Sequence, residues 1–164
     1  NMLISLGADL KTLDPKAENP IICVEKLRVA NVIFLVDPDP DGGHIAVLFM
    51  AALWRLMPDL FRQGRVWCVQ APLFAALHGG KIYGGMNFME CRVITPKSVK
   101  DKDIVRIKGW GEVNEDYVGP IAFDPKQRKL IRVDAFATVE HEKFFRGVVA
   151  EDAVHRRRLL GLED

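Results

Sequence analysis

Three aspartates stand two residues apart in Asp37-Pro38-Asp39-Pro40-Asp41-Gly42-Gly43-His44, directly after the apolar run Val32-Ile33-Phe34-Leu35-Val36. Crowded carboxylates repel one another, and such a cluster is stable mainly around a hard cation. Side chains at i, i+2 and i+4 of an extended segment share a face. Pro38 and Pro40 push the residues before them, Asp37 and Asp39, toward extended backbone. The spacing therefore predicts that Asp37, Asp39 and Asp41 converge at the end of a buried strand. Oxygen-only ligands in that position favour Mg2+. An EF-hand loop also opens D-x-D-x-D-G, but it needs a bidentate glutamate at loop position 12. That position is Leu48, and the run follows a strand rather than a helix. The other alternative is a solvated acidic turn, because prolines and aspartates are ordinary turn residues.

The elements that must position these carboxylates can be read from periodicity. Residues 2–10 suggest a short helix and 11–20 a loop. Residues 24–29 lead into a strand at 31–36. Gly42-Gly43 then allows a tight approach to a helix over 44–57. Its Ile45, Leu48, Phe49, Ala52, Leu53 and Leu56 follow i, i+3, i+4, i+7 spacing, which predicts a core-facing stripe. Pro58 ends or kinks that helix. A second strand is expected at 65–70, a small hairpin at 73–86, an irregular connector at 87–100 and a third strand at 104–107. A helix begins near Asn114, a good N-cap. A strand at 128–133 and a helix at about 139–149 follow, before the run His155-Arg156-Arg157-Arg158. Trp54 and Trp67, each inside an apolar element, are expected in the core. Arg28 and Arg65 are expected at the surface or supporting the fold. Strand, helix, strand, with polar residues at the first strand's C-terminal end, predicts an open α/β sheet with ligands at that edge. A crossover helix makes such a sheet at least partly parallel.

Composition narrows the function classes. The chain has 164 residues, 49% hydrophobic and 27% charged, which fits one globular domain, alone or with a tail. Formal net charge is +1, so no global basic footprint marks a nucleic-acid binder. Any such binding must come from local patches or a partner chain. Cys23, Cys68 and Cys91 are far apart and form no CxxC or Cys/His cluster, which argues against zinc. An odd count of buried-looking cysteines predicts a reducing cytoplasm. No signal sequence and no long uncharged apolar stretch is present, so the expectation is a soluble protein with no membrane partner.

Several motifs then occur in one order. Glu25-Lys26-Leu27-Arg28, the strand, and Asp37 through His44-Ile45 come first. Leu60-Phe61-Arg62-Gln63-Gly64 and Gln70-Ala71-Pro72-Leu73-Phe74 follow, then Arg106-Ile107-Lys108-Gly109-Trp110-Gly111-Glu112. Phe123-Asp124-Pro125 through Arg128 to Val133, and Val154 to Arg158, complete the set. This series resembles the Toprim region of type IIA DNA topoisomerases, of the gyrase-B or topoisomerase-IV-B kind. That family writes the motifs EKLR, D-x-D-x-D-G-x-H-I, L-x-x-x-G, Q-x-P-L-Y, R-Y-K-G-L-G-E, M-D-P-x-x-R and V-x-x-R-R.

The resemblance implies a Toprim-like α/β fold, an open, mostly parallel sheet flanked by helices, with a small C-terminal helical tail. Residues 1–115 would form the Toprim domain without its first, glutamate-bearing strand. Residues 116–164 would form the tail of the B-type region. It implies Mg2+ held beside a scissile phosphate, with Asp37 and Asp39 as main ligands and Asp41 behind them or at an alternate metal. Asp37, Asp39 and Lys108 are the implied catalytic residues. His44, Lys108, Arg157 and Arg158 are the implied DNA contacts. For His44 a plain place in the helix's first turn stays open, and for the arginines a solvated helix face. Glu112 is expected to order its loop. The implied partners are DNA, a chain bearing the glutamate and the ATPase, and a chain bearing the nucleophilic tyrosine. The assembly hydrolyses ATP, and the isolated chain is expected to be inactive. Its implied location is the cytoplasm, at the nucleoid, or the host cytoplasm if a phage encodes it.

The departures are specific. The family's catalytic glutamate lies in an E-G-D-S-A motif upstream of the residues matched here, and Glu25 and Glu112 belong to other motifs. Tyr83 and Tyr117 have no matching context. Prolines replace the usual residues between the aspartates, and Trp110 replaces leucine. Asn1-Met2 favours a complete small gene, hence a separate subunit of a split, phage-type topoisomerase; a piece of a longer protein is the other reading. A missing first strand leaves a sheet edge open, which predicts a complementing chain or a self-dimer. Competing functions are a stand-alone Toprim nuclease or primase-like enzyme, and a non-catalytic partner-binding Toprim module.

Overall fold

Asp39 and Pro40 set where the longest helix begins. The computed structural model describes residues 2–8, 22–134, 138–149 and 153–162. The loop expected at 11–20 and the end of the helix expected at 2–10 lie outside the described residues. The elements are α1 (Met2–Ser5), β1 (Val32–Phe34), α2 (Pro40–Leu56), α3 (Pro58–Arg62), β2 (Val66–Val69), β3 (Phe74–His78), β4 (Lys81–Gly85), α4 (Phe88–Ile94), β5 (Val105–Arg106), α5 (Glu115–Val118), β6 (Leu130–Arg132), α6 (Val139–Val149) and α7 (Val154–Leu159). The α/β class expected from the sequence holds. The single open, mostly parallel sheet expected is corrected: the strands divide between two small sheets, ordered β1-β2-β6 and β4-β3-β5, and the second is antiparallel throughout because β3 and β4 are joined by a tight hairpin turn. The strand expected at 104–107 is β5, and it joins the hairpin: Phe74 lies opposite Arg106 and Ala75 opposite Val105, antiparallel. Among the described residues no helix is long and apolar enough to cross a membrane.

The chain forms two compact units, one of residues 1–32, 50–66 and 132–164, the other of 33–49 and 67–131. In the first unit Leu53, Met57, Leu60 and Val66 are fully buried. Pro58 sits at the start of α3, where its missing N–H costs nothing. Arg65 ties the approach to β1 onto the start of β2. Its guanidinium donates to the carbonyls of Ala30 at 2.6 Å, Val29 at 2.6 Å and Val24 at 3.2 Å. A planar fork of donors suits several carbonyls at once, which a lysine could not match. Trp54 is half-buried, edge-on to Phe145 at 5.5 Å with the Arg146 guanidinium 4.7 Å from its ring.

The second unit is built on the β3–β4 hairpin. Gly79 and Gly80, at φ 58° and 73°, make the two-residue turn that β-branched or bulky residues cannot. One apolar cluster joins Ala71, Ala75, Ile107 and Ile121, with Trp110 and Tyr117 against it. Another joins Ala76, Cys91, Val99 and Ile104, with Phe74 and Phe88 against it. Residues 87–100, expected as an irregular connector, contain α4. Its start is capped by Asn87, whose Oδ1 accepts from the Glu90 N–H at 2.9 Å, while Glu90 Oε2 accepts from the N–H of Met86, the residue before the cap, at 2.8 Å. Asp124 organises the turn before β6. Its carboxylate accepts from the Lys126 N–H at 2.9 Å and the Gln127 amide at 3.0 Å. Those bonds, the Lys126 one first, hold it below the usual carboxylate range. Gln127 in turn donates to Gly80 O at 3.1 Å and accepts from the Ile82 N–H at 2.9 Å, stitching the turn to the hairpin.

The core stripe expected on α2 holds at Leu53 and is corrected toward the helix start. Ile45, Leu48 and Phe49 are 48%, 56% and 45% exposed, whereas Gly42, Ala46 and Leu53 are buried. At Gly42 the reason is local, because a Cβ there would stand 2.2 Å from the Asp37 carbonyl oxygen. The cysteines also differ from expectation: Cys91 is buried, Cys68 half-buried with its thiol pushed up by burial, and Cys23 exposed.

Arg65→Ala should lower unfolding free energy by about 2 kcal/mol in urea denaturation, and Arg65→Lys should recover little of it, since hydrogen bonds to a charged group are worth roughly 1.5–3 kcal/mol. Asp124→Asn should destabilise at neutral pH. Because the native carboxyl is held below its unfolded value, its contribution is present above the ordinary carboxylate range and is lost as pH falls through the native value. The gap between wild type and mutant should therefore close on acidification.

Candidate metal centre

Asp37 lies three residues beyond the end of β1, and the chain turns into α2 at Pro40. Proline suits a first helical position, because its φ is preset and its missing N–H is not needed there. Asp39 acts as an N-cap: its Oδ1 accepts from the Gly42 N–H at 2.7 Å, and its carbonyl from the Gly43 N–H at 3.0 Å. Asp41 falls in the first helical turn. The expectation that all three aspartates share one face of an extended strand is therefore corrected. Among the described residues no group of three or more His, Cys, Asp or Glu is assembled to hold a metal.

Asp37 is the most tightly specified of the three. Its Oδ1 accepts from the main-chain N–H of Trp110 at 2.8 Å. The Trp110 indole Nε1–H donates to the carbonyl of Val36, also at 2.8 Å. Gly109 lies against the same carboxylate, and a Cβ there would stand 3.3 Å from Oδ2. On the other side, a Cβ on Gly42 would stand 2.2 Å from the Asp37 carbonyl oxygen. Asp37 is held between two glycines, one from the helix start and one from the Lys108-Gly109-Trp110-Gly111-Glu112 loop.

The other nominated residues distribute as follows. Lys108 is exposed and adjoins Gly109, so its backbone enters the same loop. The loop is closed by the Glu112 N–H donating to the Gly109 carbonyl at 3.2 Å. The main chain of Glu112, rather than its carboxylate, does this ordering. His44 is exposed in the second turn of α2. Arg157 and Arg158 lie on α7, in the first unit, whereas Asp37, Asp39, Asp41, His44 and Lys108 belong to the second. Glu25 also lies in the first unit, with its carboxylate held below the usual range first by the Cys23 thiol, which donates at 3.0 Å. Tyr117 packs on the second unit's apolar cluster, and the Lys81 ammonium sits 5.2 Å from the Tyr83 ring.

The donor set suits a hard cation. Asp37 and Asp39 each use one carboxylate oxygen on a main-chain N–H and keep the other for a further partner. Mg2+ is commonly held by one or two carboxylates, completing its octahedron with water and substrate phosphates. Two aspartates are thus enough, and the third need not join them. Sequence reasoning misses Trp110 and Gly109 as parts of the site. The glycine-flanked motif marks the loop, but nothing local to it says that its N–H reaches a carboxylate 73 residues earlier.

No protein-family model matches the chain. The DNA gyrase B protein of Clostridium acetobutylicum is 31% identical over 140 residues, 84% of this chain and 22% of that protein. The DNA gyrase B protein of Thermotoga maritima is 31% identical over 136 residues, 82% of this chain and 21% of that protein. The DNA topoisomerase 4 B protein of Caulobacter vibrioides is 36% identical over 111 residues, 66% of this chain and 16% of that protein. The chain is a type IIA topoisomerase B-like region. It spans about a fifth of the length of the curated relatives it matches.

In this topoisomerase B-like region the two glycines at the start of α2 separate cleanly. Gly43→Ala meets no atom within 4 Å. It should leave stability unchanged or raise it by up to about 1 kcal/mol, the usual gain of alanine over glycine in a helix. Gly42→Ala must push the Asp37 backbone away. It should cost on the order of 1–3 kcal/mol, as overpacking does. Thermal melts of the two variants check the contrast.

Proposed function

We propose that the chain is the Mg2+-binding Toprim portion of a type II DNA topoisomerase, with residues 1–115 as that module and 116–164 as its B-type tail. The observation that carries this reading is the meeting of two distant motifs: the aspartate run and the Lys108–Glu112 loop touch at the Asp37 carboxylate. Asp37 and Asp39 hold the cation. The cation, when bound, offsets the charge of a DNA phosphate and of the oxygen that leaves it. Asp37 is kept in orientation by Trp110, Asp39 fixes the helix start, and Lys108 extends from the loop toward the DNA backbone. Neither Tyr83, on β4, nor Tyr117, packed on the apolar cluster, stands in a matching motif, so on this reading the tyrosine that breaks the strand comes from another domain or chain. A glutamate and an ATPase come likewise from outside these residues. The exposed Ile45, Leu48 and Phe49 on α2 support assembly with a partner chain.

Titration calorimetry tests the metal. Mg2+ should bind the wild-type chain and give no heat with Asp37→Ala/Asp39→Ala. Mixed with topoisomerase chains that supply the tyrosine, glutamate and ATPase, the wild type should restore ATP-dependent relaxation of supercoiled DNA, and the double variant should not. Relaxation restored equally by the double variant would reduce the chain to a binding module. Metal-dependent nicking by the isolated chain would favour a self-sufficient nuclease.

A further inference from the structure

Trp110 holds two consecutive residues at once, its main-chain N–H on the Asp37 carboxylate and its indole N–H on the Val36 carbonyl, each at 2.8 Å. From this geometry we propose that Trp110 is the positioning residue of Asp37, and that its indole bond is what fixes the main-chain donor against the carboxylate. The proposal rests on the reading of Asp37 as a metal ligand and adds how that ligand is aimed.

Asp37 is exposed and two residues from another carboxylate, so water and repulsion both favour swinging its side chain outward. A single N–H on one oxygen opposes that swing only if the N–H itself stays put. The donor belongs to a glycine-flanked segment, Gly109-Trp110-Gly111, which has little backbone stiffness of its own. The indole supplies the stiffness. Its body packs on the cluster of Ala71, Ala75, Ile107 and Ile121. Its Nε1–H reaches the carbonyl immediately before Asp37. The two bonds thus form a clamp across the peptide between Val36 and Asp37. One oxygen of the carboxylate is taken, and the other is left with its direction set. Charge-assisted N–H bonds to a carboxylate are among the stronger hydrogen bonds. The leucine found at this place in the resembled motif offers a main-chain N–H and apolar packing but no second donor. The clamp is therefore a property of tryptophan in this chain.

The test reads the clamp and the metal separately. In the 15N-labelled 164-residue chain, the Trp110 main-chain and indole N–H groups should exchange slowly with solvent. The main-chain protection should fall in Asp37→Ala. Mn2+, used as the probe, should broaden the Trp110 indole signal far more than those of Trp54 and Trp67. Trp110→Phe keeps the ring and the main-chain donor and should weaken Mn2+ binding about tenfold, as lost partners of a metal ligand do. Trp110→Leu should behave alike. Mn2+ affinity unchanged in Trp110→Phe, or free exchange of both Trp110 protons in the wild type, overturns the clamp. Slow exchange in a wild type that binds no Mn2+ upholds the clamp and sinks the metal reading instead. Should Trp110→Phe not fold, the exchange and broadening measurements on the unsubstituted chain still decide.

Discussion

The backbone at the start of α2 can pass so close to Asp37 because position 42 lacks a Cβ, and on the other side Gly109 leaves its carboxylate room that a side chain would tighten. Every other property of the site follows from that crowding. With Gly42 pressed on the Asp37 carbonyl, the helix must begin where it does, and Asp39 falls where its carboxylate can cap it. With Gly109 against the carboxylate, the loop's next N–H is within 2.8 Å of Oδ1. A side chain at Gly42 would displace the Asp37 main chain, and one at Gly109 would crowd its carboxylate at 3.3 Å. The site is thus set by steric permission first and by hydrogen bonds second.

The same close approach explains why the apolar periodicity of α2 misleads. Ile45, Leu48 and Phe49 keep helical spacing, and the natural inference is that they face the core. The buried line is instead Gly42, Ala46 and Leu53. At position 42 the helix can bury only a glycine, and Ile45, Leu48 and Phe49 lie on its exposed side. Periodicity reports that a helix has an apolar face. It does not report which face the fold covers, because that depends on how near the neighbouring backbone lies. The hairpin is easier to read, since Gly79-Gly80 is a local requirement of a tight turn. Helix α4, at seven residues, escapes periodicity because so short an element depends on its cap, and its signal is the Asn87 N-cap.

For the candidate site, the aspartates picked out by the sequence sit in a local geometry different from the expected one. Alternating prolines read as a device for keeping Asp37, Asp39 and Asp41 extended. Pro38 and Pro40 do restrain the residues before them, but Pro40 is also a good first helical residue, and that second preference decides. The outcome changes the role of each carboxylate. Asp41 joins the first turn, where the helix dipole favours a negative charge whatever else it does. Asp39 divides its oxygens between the cap and any ligand. Among the described residues, Asp37 is the one of the three with a long-range hydrogen-bond partner. A partner 73 residues away leaves no trace in spacing, so Trp110 can be noticed as a departure from a motif but not as a donor.

The two ends of α2 are secured in different ways. The C-terminal half carries Leu53, which is fully out of water, and Met57 just beyond it is equally buried. Burying side chains of that size stabilises by roughly 1.5–3 kcal/mol each. The aspartate end has no comparable anchor, since its large apolar residues are exposed. It is held by the Asp39 cap and by the bonds from Trp110, each net worth on the order of 1 kcal/mol or somewhat more with a carboxylate partner. A site fixed by a few directional bonds is ordered in orientation yet easy to open, whereas one fixed by burial is the reverse. The proposed role of these carboxylates, receiving a hydrated cation and a phosphate, would call for the first kind of support: buried, they would lose the water they exchange, and loose, they would lose aim. Two glycines, a cap and one tryptophan meet both demands.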